Sequence, residues 1–264
     1  MKRITKETLL RIENVSLTYG NRQILKNVNG EIKNNVGHGQ VVGLLGPSGI
    51  GKTQLFRILS GLQKPTTGTV RITEKNIEVT PGSVGVVAQN YPLFAHRTVI
   101  SNLLLAGRNR KDTPEKARIF LERFDLKAQT HLYPSQLSGG QRQRIAIIQQ
   151  LLCSEHFLLM DEPFSGLDPL MIDEICTLIT EVANLHELNT IIVITHDHRA
   201  AIKVSDILWL MGRDRDENNK AIPGAYIKHT YDLVENGLAW QTDLSSSPVF
   251  TSFAKMIKEQ FKTL

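Results

Sequence analysis

Two separate segments of the chain have residue types suited to holding phosphate. Residues 46–53 read Gly-Pro-Ser-Gly-Ile-Gly-Lys-Thr, a loop pattern in which backbone N–H groups surround phosphates while a lysine and a hydroxyl complete the cage. Residues 137–141 read Leu-Ser-Gly-Gly-Gln and stand where a helix could begin, a position that also suits an anion. One nucleotide does not need two such cradles. We therefore expect each cradle to complete a site with the opposite cradle of a second copy.

Two carboxylates follow an apolar stretch further along the chain. Residues 157–160 predict a buried strand, and Asp161 and Glu162 come directly after it. At the carboxyl edge of a parallel sheet, this pair would lie beside the phosphate loop. We expect Asp161 to hold Mg²⁺ and Glu162 to take a proton from the attacking water, a role worth roughly 10²- to 10⁴-fold in rate. A strand-end turn with two solvated acids is the alternative.

Three further residues gain a role only from their context. His196 follows an apolar strand at 191–194 and would contact the γ-phosphate and hold the attacking water, although a lone histidine there is usually structural. Gln89 follows a strand at 83–87 and would reach Mg²⁺ or water, unless it is an ordinary loop glutamine. Tyr19 ends an amphipathic strand and would stack on adenine, or else only completes that strand.

The elements that must position these residues alternate between strands and helices. Residues 41–45 predict a buried strand that leads into the glycine loop, and residues 53–62 predict a helix after it. This strand, loop and helix are the context that a phosphate loop requires. Strands at 157–160 and 190–194 are separated by a helix near 169–185. The alternation predicts an α/β fold, a phosphate-loop NTPase core whose parallel-rich sheet is covered by helices.

Three segments extend this core. Residues 9–19 and 22–28 alternate apolar and polar side chains and predict an N-terminal antiparallel β-subdomain. Residues 98–140 predict a helical subdomain inserted into the core. Residues 226–264 form a C-terminal extension, in which we expect a helix beginning at Pro248 to pack on the same domain.

Composition narrows the class of protein. The 264 residues are 41% hydrophobic and 22% charged, which is ordinary globular usage. The net charge of +5 comes without a dense run of Lys and Arg, so a solvated surface with phosphate sites is favoured over nucleic-acid binding. No apolar run is long enough to span a bilayer, and a cytosolic chain is expected. Cys153 and Cys176 lie in apolar patterns that predict buried thiols.

The motifs, in their order along the chain, resemble the ATP-binding cassette subunit of an ABC transporter. The resemblance covers residues from about 10 to 212, and the LSGGQ segment separates this family from other phosphate-loop ATPases. It rests on Tyr19, GPSGIGKT, Gln89, LSGGQ, LLMDE, SGLD (residues 165–168) and His196. The resemblance implies that residues 1–225 form the ATPase domain.

The family resemblance also implies a head-to-tail dimer that encloses two ATP molecules with Mg²⁺. It assigns adenine stacking to Tyr19, sensing of the γ-phosphate to Gln89, coupling between the two sites to Asp168, and catalysis to Glu162, His196 and Gln89. Mg²⁺ would be held by Thr53, Gln89 and Asp161. The implied nucleotide contacts are Tyr19, Gly46, Pro47, Ser48, Gly49, Ile50, Gly51, Lys52, Thr53 and Gln54 of one copy and Ser138, Gly139, Gly140 and Gln141 of the other.

One position departs from the family pattern. The residue after the magnesium-binding hydroxyl usually carries a second hydroxyl that touches the α-phosphate, and here it is Gln54. An amide can still donate a hydrogen bond, so the α-phosphate contact becomes an open question. Catalysis at the γ-phosphate should be little affected.

A single cassette without a membrane span resembles the separate ATPase subunit of bacterial importers. Such a subunit is a homodimer, or pairs with a second cassette, at the cytoplasmic face of the inner membrane, with permease subunits and a solute-binding protein. Residues 90–96 would expose apolar surface to a permease helix, unless Leu93 and Phe94 pack inward. Residues 161–168 and the tail, including residues 237–240 and Phe250, look most like nitrate, sulfonate or taurine importers.

Other functions remain as alternatives. An exporter ATPase would carry the same motifs. A soluble ABC ATPase acting on nucleic acid would fit the positive charge, but usually has tandem cassettes or a coiled-coil insertion, and no nucleic-acid partner is expected. A non-hydrolysing ATP switch is opposed by Glu162.

Overall fold

The computed structural model describes residues 5–35, 37–72, 76–154, 156–239, 244 and 247–264. Trp240, part of the importer-like tail pattern, lies outside these residues. The strands are β1 (Thr5–Tyr19), β2 (Arg22–Asn35), β3 (Gln40–Leu45), β4 (Thr67–Ile72), β5 (Ile77–Glu78), β6 (Gly85–Val87), β7 (Phe157–Asp161), β8 (Thr190–Thr195), β9 (Ile207–Gly212) and β10 (Tyr226–Asp232). The helices are α1 (Lys52–Leu59), α2 (Val99–Ala106), α3 (Thr113–Arg123), α4 (Gly139–Cys153), α5 (Pro169–Ala183), α6 (His198–Val204) and α7 (Pro248–Gln260).

A six-stranded sheet forms the centre of the molecule. Its order is β10-β9-β3-β8-β7-β6, in which the five strands from β9 to β6 run parallel and β10 is antiparallel to β9. Every residue of β3 and β8 is buried. This is why these strands are nearly continuous runs of apolar residues rather than alternating ones. The α/β fold class with a parallel-rich sheet is confirmed.

A second, antiparallel sheet packs against the first. Its order is β2-β1-β4-β5, and its alternating sequence turns one face inward. Leu10, Ile12 and Val15 of that face share one apolar cluster with Leu55 of α1 and Leu44 of β3. The helix that follows the phosphate loop is therefore enclosed between the two sheets. The expected N-terminal antiparallel sheet is confirmed.

Helices dominate the segment between β6 and β7. Residues 98–140 contain α2, α3 and two short 3₁₀ turns, Lys127–Gln129 and Pro134–Gln136, before α4 begins. Leu103 of α2 and Leu121 of α3 lie in the same buried cluster as Ile145 of α4. The segment thus packs on the helix that carries the second glycine motif. Its division from the core as a subdomain stays a prediction.

The C-terminal segment contributes both to the sheet and to its cover. The strand β10, which the sequence analysis did not anticipate, adds an antiparallel edge to β9. Helix α7 starts at Pro248, with the Ser247 hydroxyl accepting a hydrogen bond from Val249 N–H. Phe250 and Ile257 of α7 are buried in a third cluster with residues of α6 and β9. The predicted boundary at residue 225 falls just before β10 and stays a prediction.

The two cysteines differ in their surroundings. Cys176 is buried, and burial raises its pKa to about 12. Cys153 is exposed, so the prediction of two buried thiols is wrong for this residue. The apolar pattern of α4 reaches its last buried position at Leu152, and Cys153 is the terminal residue of the helix. Within the described residues, no helix is both long and apolar enough to cross a membrane.

Removing the Phe250 ring should destabilise the fold through α7. Phe250 is 1% exposed, whereas Val249 beside it is 54% exposed. We expect Phe250→Ala to lower the free energy of unfolding by about 3 kcal/mol, measured by urea denaturation. Val249→Ala is the control and should change it by about 0.5 kcal/mol or less. Equal effects of the two substitutions would contradict the docking of α7.

Candidate active site

The parallel strands bring the predicted phosphate and acid residues to one edge of the sheet. Leu45 of β3 pairs with Thr195 of β8, and Asp161 of β7 pairs with Ile194 of the same strand. The glycine loop, Glu162 and His196 each follow directly after these positions. Since the three strands end in register, their three polar continuations converge at the carboxyl edge of the sheet.

The glycine loop ends in the first turn of α1. Gly51 precedes the helix with a left-handed φ of 116°, a conformation that favours glycine. A helix leaves its first N–H groups without intrahelical partners. The Lys52 ammonium is buried and donates hydrogen bonds to the backbone oxygens of Gly46, at 2.8 Å, and Pro47, at 3.3 Å. The loop itself therefore holds the lysine. The next residue, Thr53, is exposed.

Burial and opposite charges compete at this lysine. Burial lowers the pKa of Lys52, and the nearby Glu162 and Asp161 carboxylates raise it. The pKa of Asp161 is raised, first by burial and then by the Glu162 charge, while Lys52 opposes the shift. Two carboxylates facing one ammonium leave a net negative charge. That charge, with the side-chain oxygens that Asp161 and Thr53 could offer, fits a hard dication such as Mg²⁺.

Glu162 is held by several groups at the end of β8. Its backbone lies in the left-handed region, with φ of 48°, and its N–H donates to Ile194 O at 2.8 Å. Its Oε2 accepts from Thr195 Oγ1 at 3.0 Å and from His196 N–H at 3.3 Å, and lies 2.9 Å from His196 Nδ1. The side chain of Glu162 is 18% exposed and that of His196 58%. The structure therefore fixes one carboxylate oxygen and pairs two of the three predicted catalytic residues, Glu162 and His196, directly.

Gln89, Asp168 and Tyr19 occupy the periphery of the site. Gln89 Nε2 donates to Ser165 Oγ at 3.3 Å, which links the loop after β6 to the segment after β7. Asp168 caps α5, because its Oδ1 accepts from Leu170 N–H and Met171 N–H. Tyr19 is 51% exposed, and its ring remains available for stacking.

The second glycine motif forms the N-terminus of α4. Ser138 and Gln141 make a reciprocal capping box, in which each side chain accepts from the other's N–H. Neither Gly139 nor Gly140 has positive φ. A Cβ at Gly139 would meet nothing within 4 Å, and one at Gly140 only Met171 Cε at 3.8 Å. The fold of the described chain therefore gives no steric reason for glycine at either position.

The two cradles are not joined within one chain. Among the described residues, no hydrogen bond links residues 46–54 to residues 137–141. Ser138 is exposed. The structure thus places the two motifs as separate surfaces and leaves the second one open to an approaching molecule.

Three contacts at the site were not anticipated from the sequence. Thr195 binds the Glu162 carboxylate, Gln63 donates to the Tyr19 hydroxyl at 2.6 Å, and Arg213 Nη2 donates to Gly49 O at 3.2 Å. The sequence could have indicated the Thr195 contact, because Thr195 stands directly before His196 at the end of an apolar strand. Gln63 and Arg213 stand in polar turns, where no sequence motif indicates a role at the site.

Residues 90–96 divide between core and surface. Leu93 is half-buried and packs against the buried cluster that contains Leu103 and Ile145, while Phe94 is 47% exposed. The backbone N–H of Phe94 donates to Asn102 Oδ1 at 2.8 Å, and Asn102 is fully buried. The expectation of two exposed apolar residues is therefore met by Phe94 and not by Leu93.

Comparison with known proteins identifies the family. The sequence profile described as ABC transporter matches residues 25–165 of the chain. The chain belongs to the ABC transporter family. It is an ATPase of that family's ATP-binding cassette type.

Relatives of this cassette include several import proteins. The sulfate/thiosulfate import ATP-binding protein CysA of Mesostigma viride is 38% identical over 78% of the chain and 60% of its own length. CysA of Halalkalibacterium halodurans is 33% identical over 96% of the chain and 72% of its own length. The glutamate/aspartate import ATP-binding protein GltL of Escherichia coli is 37% identical over 77% of the chain and 87% of its own length. These names give no specific support to the nitrate, sulfonate or taurine group.

Solved structures share the fold of the cassette. The structure of cbiO1 from Clostridium perfringens, part of an ABC transporter complex, has a TM-score of 0.75 at 24% identity and covers 96% of this chain and 100% of that one. The dimeric post-hydrolysis state of the ATP-binding cassette MJ0796, bound to ADP and Pi, has a TM-score of 0.66 at 26% identity, covering 85% and 99%. The first comparison supports the fold, and the second adds a dimeric, nucleotide-bound relative.

Loss of the Thr195 hydroxyl should impair the cassette through Glu162. Thr195→Val keeps the shape of the side chain and removes its hydrogen bond to the carboxylate, together with the acceptor of the Asp197 N–H at 3.1 Å. We expect kcat for ATP hydrolysis to fall about tenfold, in line with a hydrogen bond to a charged group, with a smaller change in KM. Thr190→Val, at the opposite end of β8, is the matched control. A kcat equal to that of the control would contradict the positioning role of Thr195.

Proposed function

We propose that this cassette binds ATP in its glycine loop and hydrolyses it at a site completed by a second copy. The observation that carries the proposal is the position of Lys52, which is held by the loop oxygens and acted on by both the Asp161 and Glu162 charges. A buried ammonium at a helix N-terminus offers positive charge to phosphate. The acids beside it supply a metal ligand and a proton acceptor.

Hydrolysis proceeds by attack of water on the γ-phosphorus. Glu162 takes the proton of the attacking water, the bond from the γ-phosphorus to the bridging oxygen breaks, and ADP and phosphate leave. His196 and Thr195 hold the Glu162 carboxylate in position for this step. Asp161, Thr53 and Gln89 would hold Mg²⁺, which neutralises the phosphate charge when bound. The roles of these residues are proposals that follow from their placement.

The second copy would contribute the LSGGQ motif. Gly139 has open space where a side chain would be, Gly140 would meet only Met171 Cε at 3.8 Å, and Ser138 is exposed. Absence of side chains lets another backbone or a phosphate approach closely. A head-to-tail pair, with each copy's motif covering the other's glycine loop, uses both features. The dimeric form of the nucleotide-bound cassette MJ0796 supports pairing of two copies.

ATP hydrolysis would drive the import of a small solute. The relatives CysA and GltL are named as import ATP-binding proteins, which favours an importer over an exporter or a nucleic-acid ATPase. In an importer the chain would lie at the cytoplasmic face of the cell membrane, bound to permease subunits and served by a solute-binding protein. A nitrate-, sulfonate- or taurine-like solute remains our prediction from the sequence. Phe94, exposed on the loop after Gln89, is our candidate for the permease contact.

Replacement of the general base should trap the dimer. In Glu162→Gln, ATP binds but water is not deprotonated, so hydrolysis should fall by at least about 10²-fold. We expect light scattering to show a dimer with ATP and a monomer with ADP. Combining this change with Lys52→Ala is the control and should abolish dimer formation. If Glu162→Gln stays monomeric at saturating ATP, the composite site is wrong.

A charge on the exposed loop should separate the cassette from the membrane. Phe94→Asp places a carboxylate on the surface proposed to meet a permease, and we expect the membrane-bound fraction in cells to fall several-fold because burying a charge is unfavourable. Ile119→Asp, on an apolar residue of α3 that is 49% exposed, is the matched control. Equal membrane binding of the two variants would contradict the contact. Loss of basal ATP hydrolysis in Phe94→Asp would instead indicate a packing role.

A further inference from the structure

A cavity of about 350 Å³ lies at the edge of the central sheet opposite to the glycine loop. It is lined by Phe157, the first residue of β7, and by Ile191, the second residue of β8, whereas the candidate active site follows the other ends of these strands. Phe120 of α3 lines it from the helical segment. Its volume falls in the range of small-ligand sites, roughly 300 to 1,000 Å³. The cavity is therefore separate from the proposed nucleotide site and large enough for a ligand.

The charged side chains around this cavity are all of one sign. Among the described residues that line it there is no Asp or Glu, whereas Arg110 and Lys116 are both cationic. Lys116 Nζ also pairs with Asp112 Oδ2 at 2.7 Å. Glu187, next in sequence to a lining residue, accepts instead from Gly37 N–H at 3.1 Å. Because a cavity lined by one sign of charge attracts ions of the opposite sign, the lining favours an anion.

Two histidine rings in the cavity wall pack against each other. The ring centroids of His156 and His186 are 4.5 Å apart. Asn189 Nδ2 donates to Val182 O at 3.0 Å, so Asn189 Oδ1 is free to accept from His156 Nδ1 at 3.2 Å and holds that ring. His186 Nδ1 accepts from Leu188 N–H at 3.2 Å, which places the proton of the neutral ring on Nε2. Among the described residues, this Nε2–H has no acceptor. The pair therefore offers an apolar ring surface and one donor to a ligand.

Two helices, α4 and α5, end beside the cavity, and free carbonyl oxygens at their ends would repel an anion. In α4, Gln150 O accepts from both the N–H and the hydroxyl of Ser154, at 2.8 and 2.7 Å. In α5, Val182 O accepts from Leu185 N–H at 3.2 Å and from Asn189 Nδ2 at 3.0 Å. Donors of the chain itself therefore satisfy these carbonyls, which reduces their repulsion of a bound anion.

We propose that this cavity binds a small organic carboxylate with an apolar ring. The carboxylate accepts a hydrogen bond from His186 Nε2–H and pairs with the Arg110 guanidinium, while the ring packs against Phe120 and Phe157. The occupant contacts both the helical segment and the sheet, because residues of both line the cavity. Its binding does not require a nucleotide, since the glycine loop lies at the opposite edge of the sheet.

Calorimetric titration of the purified chain with three probes tests the proposed ligand class. 2-Naphthoate carries both a carboxylate and an apolar ring system, 2-naphthol carries the rings without the charge, and acetate carries the charge without the rings. We expect 2-naphthoate to have a Kd about tenfold or more below that of either other probe, because only it adds a hydrogen bond to a charged group to the apolar contacts. Absence of 2-naphthoate binding, or equal binding of 2-naphthol or acetate, would overturn the proposal.

Paired substitutions locate the bound probe. His186→Ala removes the donor and Arg110→Met removes the charge, and each should raise the Kd of 2-naphthoate about tenfold. His186 is an exposed residue, so its replacement leaves the core intact. His229→Ala on β10 and Arg118→Met on an exposed position of α3 are the matched controls and should keep the wild-type Kd. If His186→Ala and Arg110→Met bind 2-naphthoate as tightly as these controls, the site is wrong.

Competition with a nucleotide separates this cavity from the glycine loop. Saturating Mg·ADP should leave the Kd of 2-naphthoate unchanged, because the two sites lie at opposite edges of the sheet. Displacement of 2-naphthoate by Mg·ADP would place the probe in the glycine loop and would overturn the cavity as its site. A chain that binds 2-naphthoate but no Mg·ADP would contradict the proposed function and leave the cavity site standing.

Discussion

The parallel hydrogen bonds between β3, β8 and β7 are the interaction on which the rest of the structure depends. They align Leu45 with Thr195 and Asp161 with Ile194, so that three chain segments leave the sheet at one edge. A shift of one residue would turn each buried side chain to the opposite face. The burial of β3 and β8 on both faces therefore fixes the register, and the register fixes the distances between lysine, carboxylate and histidine.

Charge at this edge is balanced only in part by the protein. Lys52 faces two carboxylates, and burial opposes the charged form of both Lys52 and Asp161. Glu162 Oε2 accepts hydrogen bonds from the Thr195 hydroxyl and the His196 N–H. These groups leave a net negative charge, which the Mg²⁺ of a metal–nucleotide complex would offset.

Different parts of the chain would handle the two ends of the nucleotide. In the proposed site the γ-phosphate end would lie at the strand termini, which the sheet holds in register. The adenine end would lie at Tyr19, whose hydroxyl donates to Gln54 Oε1 across the gap between β1 and α1. The LSGGQ motif belongs to neither group within one chain, since no hydrogen bond of the described residues joins it to the glycine loop. In the proposed arrangement, one copy would thus offer two incomplete surfaces rather than one closed pocket.

The sequence by itself determined the motifs and the order of the elements, because glycine loops and apolar runs are local patterns whose conformation depends on neighbouring residues. Only the tertiary structure decided that Thr195 holds Glu162, that Gln63 reaches Tyr19 and that Cys153 is exposed. The strand β10 also escaped the sequence analysis. Such contacts join residues far apart in the chain, and they depend on register and side-chain rotamers, which no local pattern specifies.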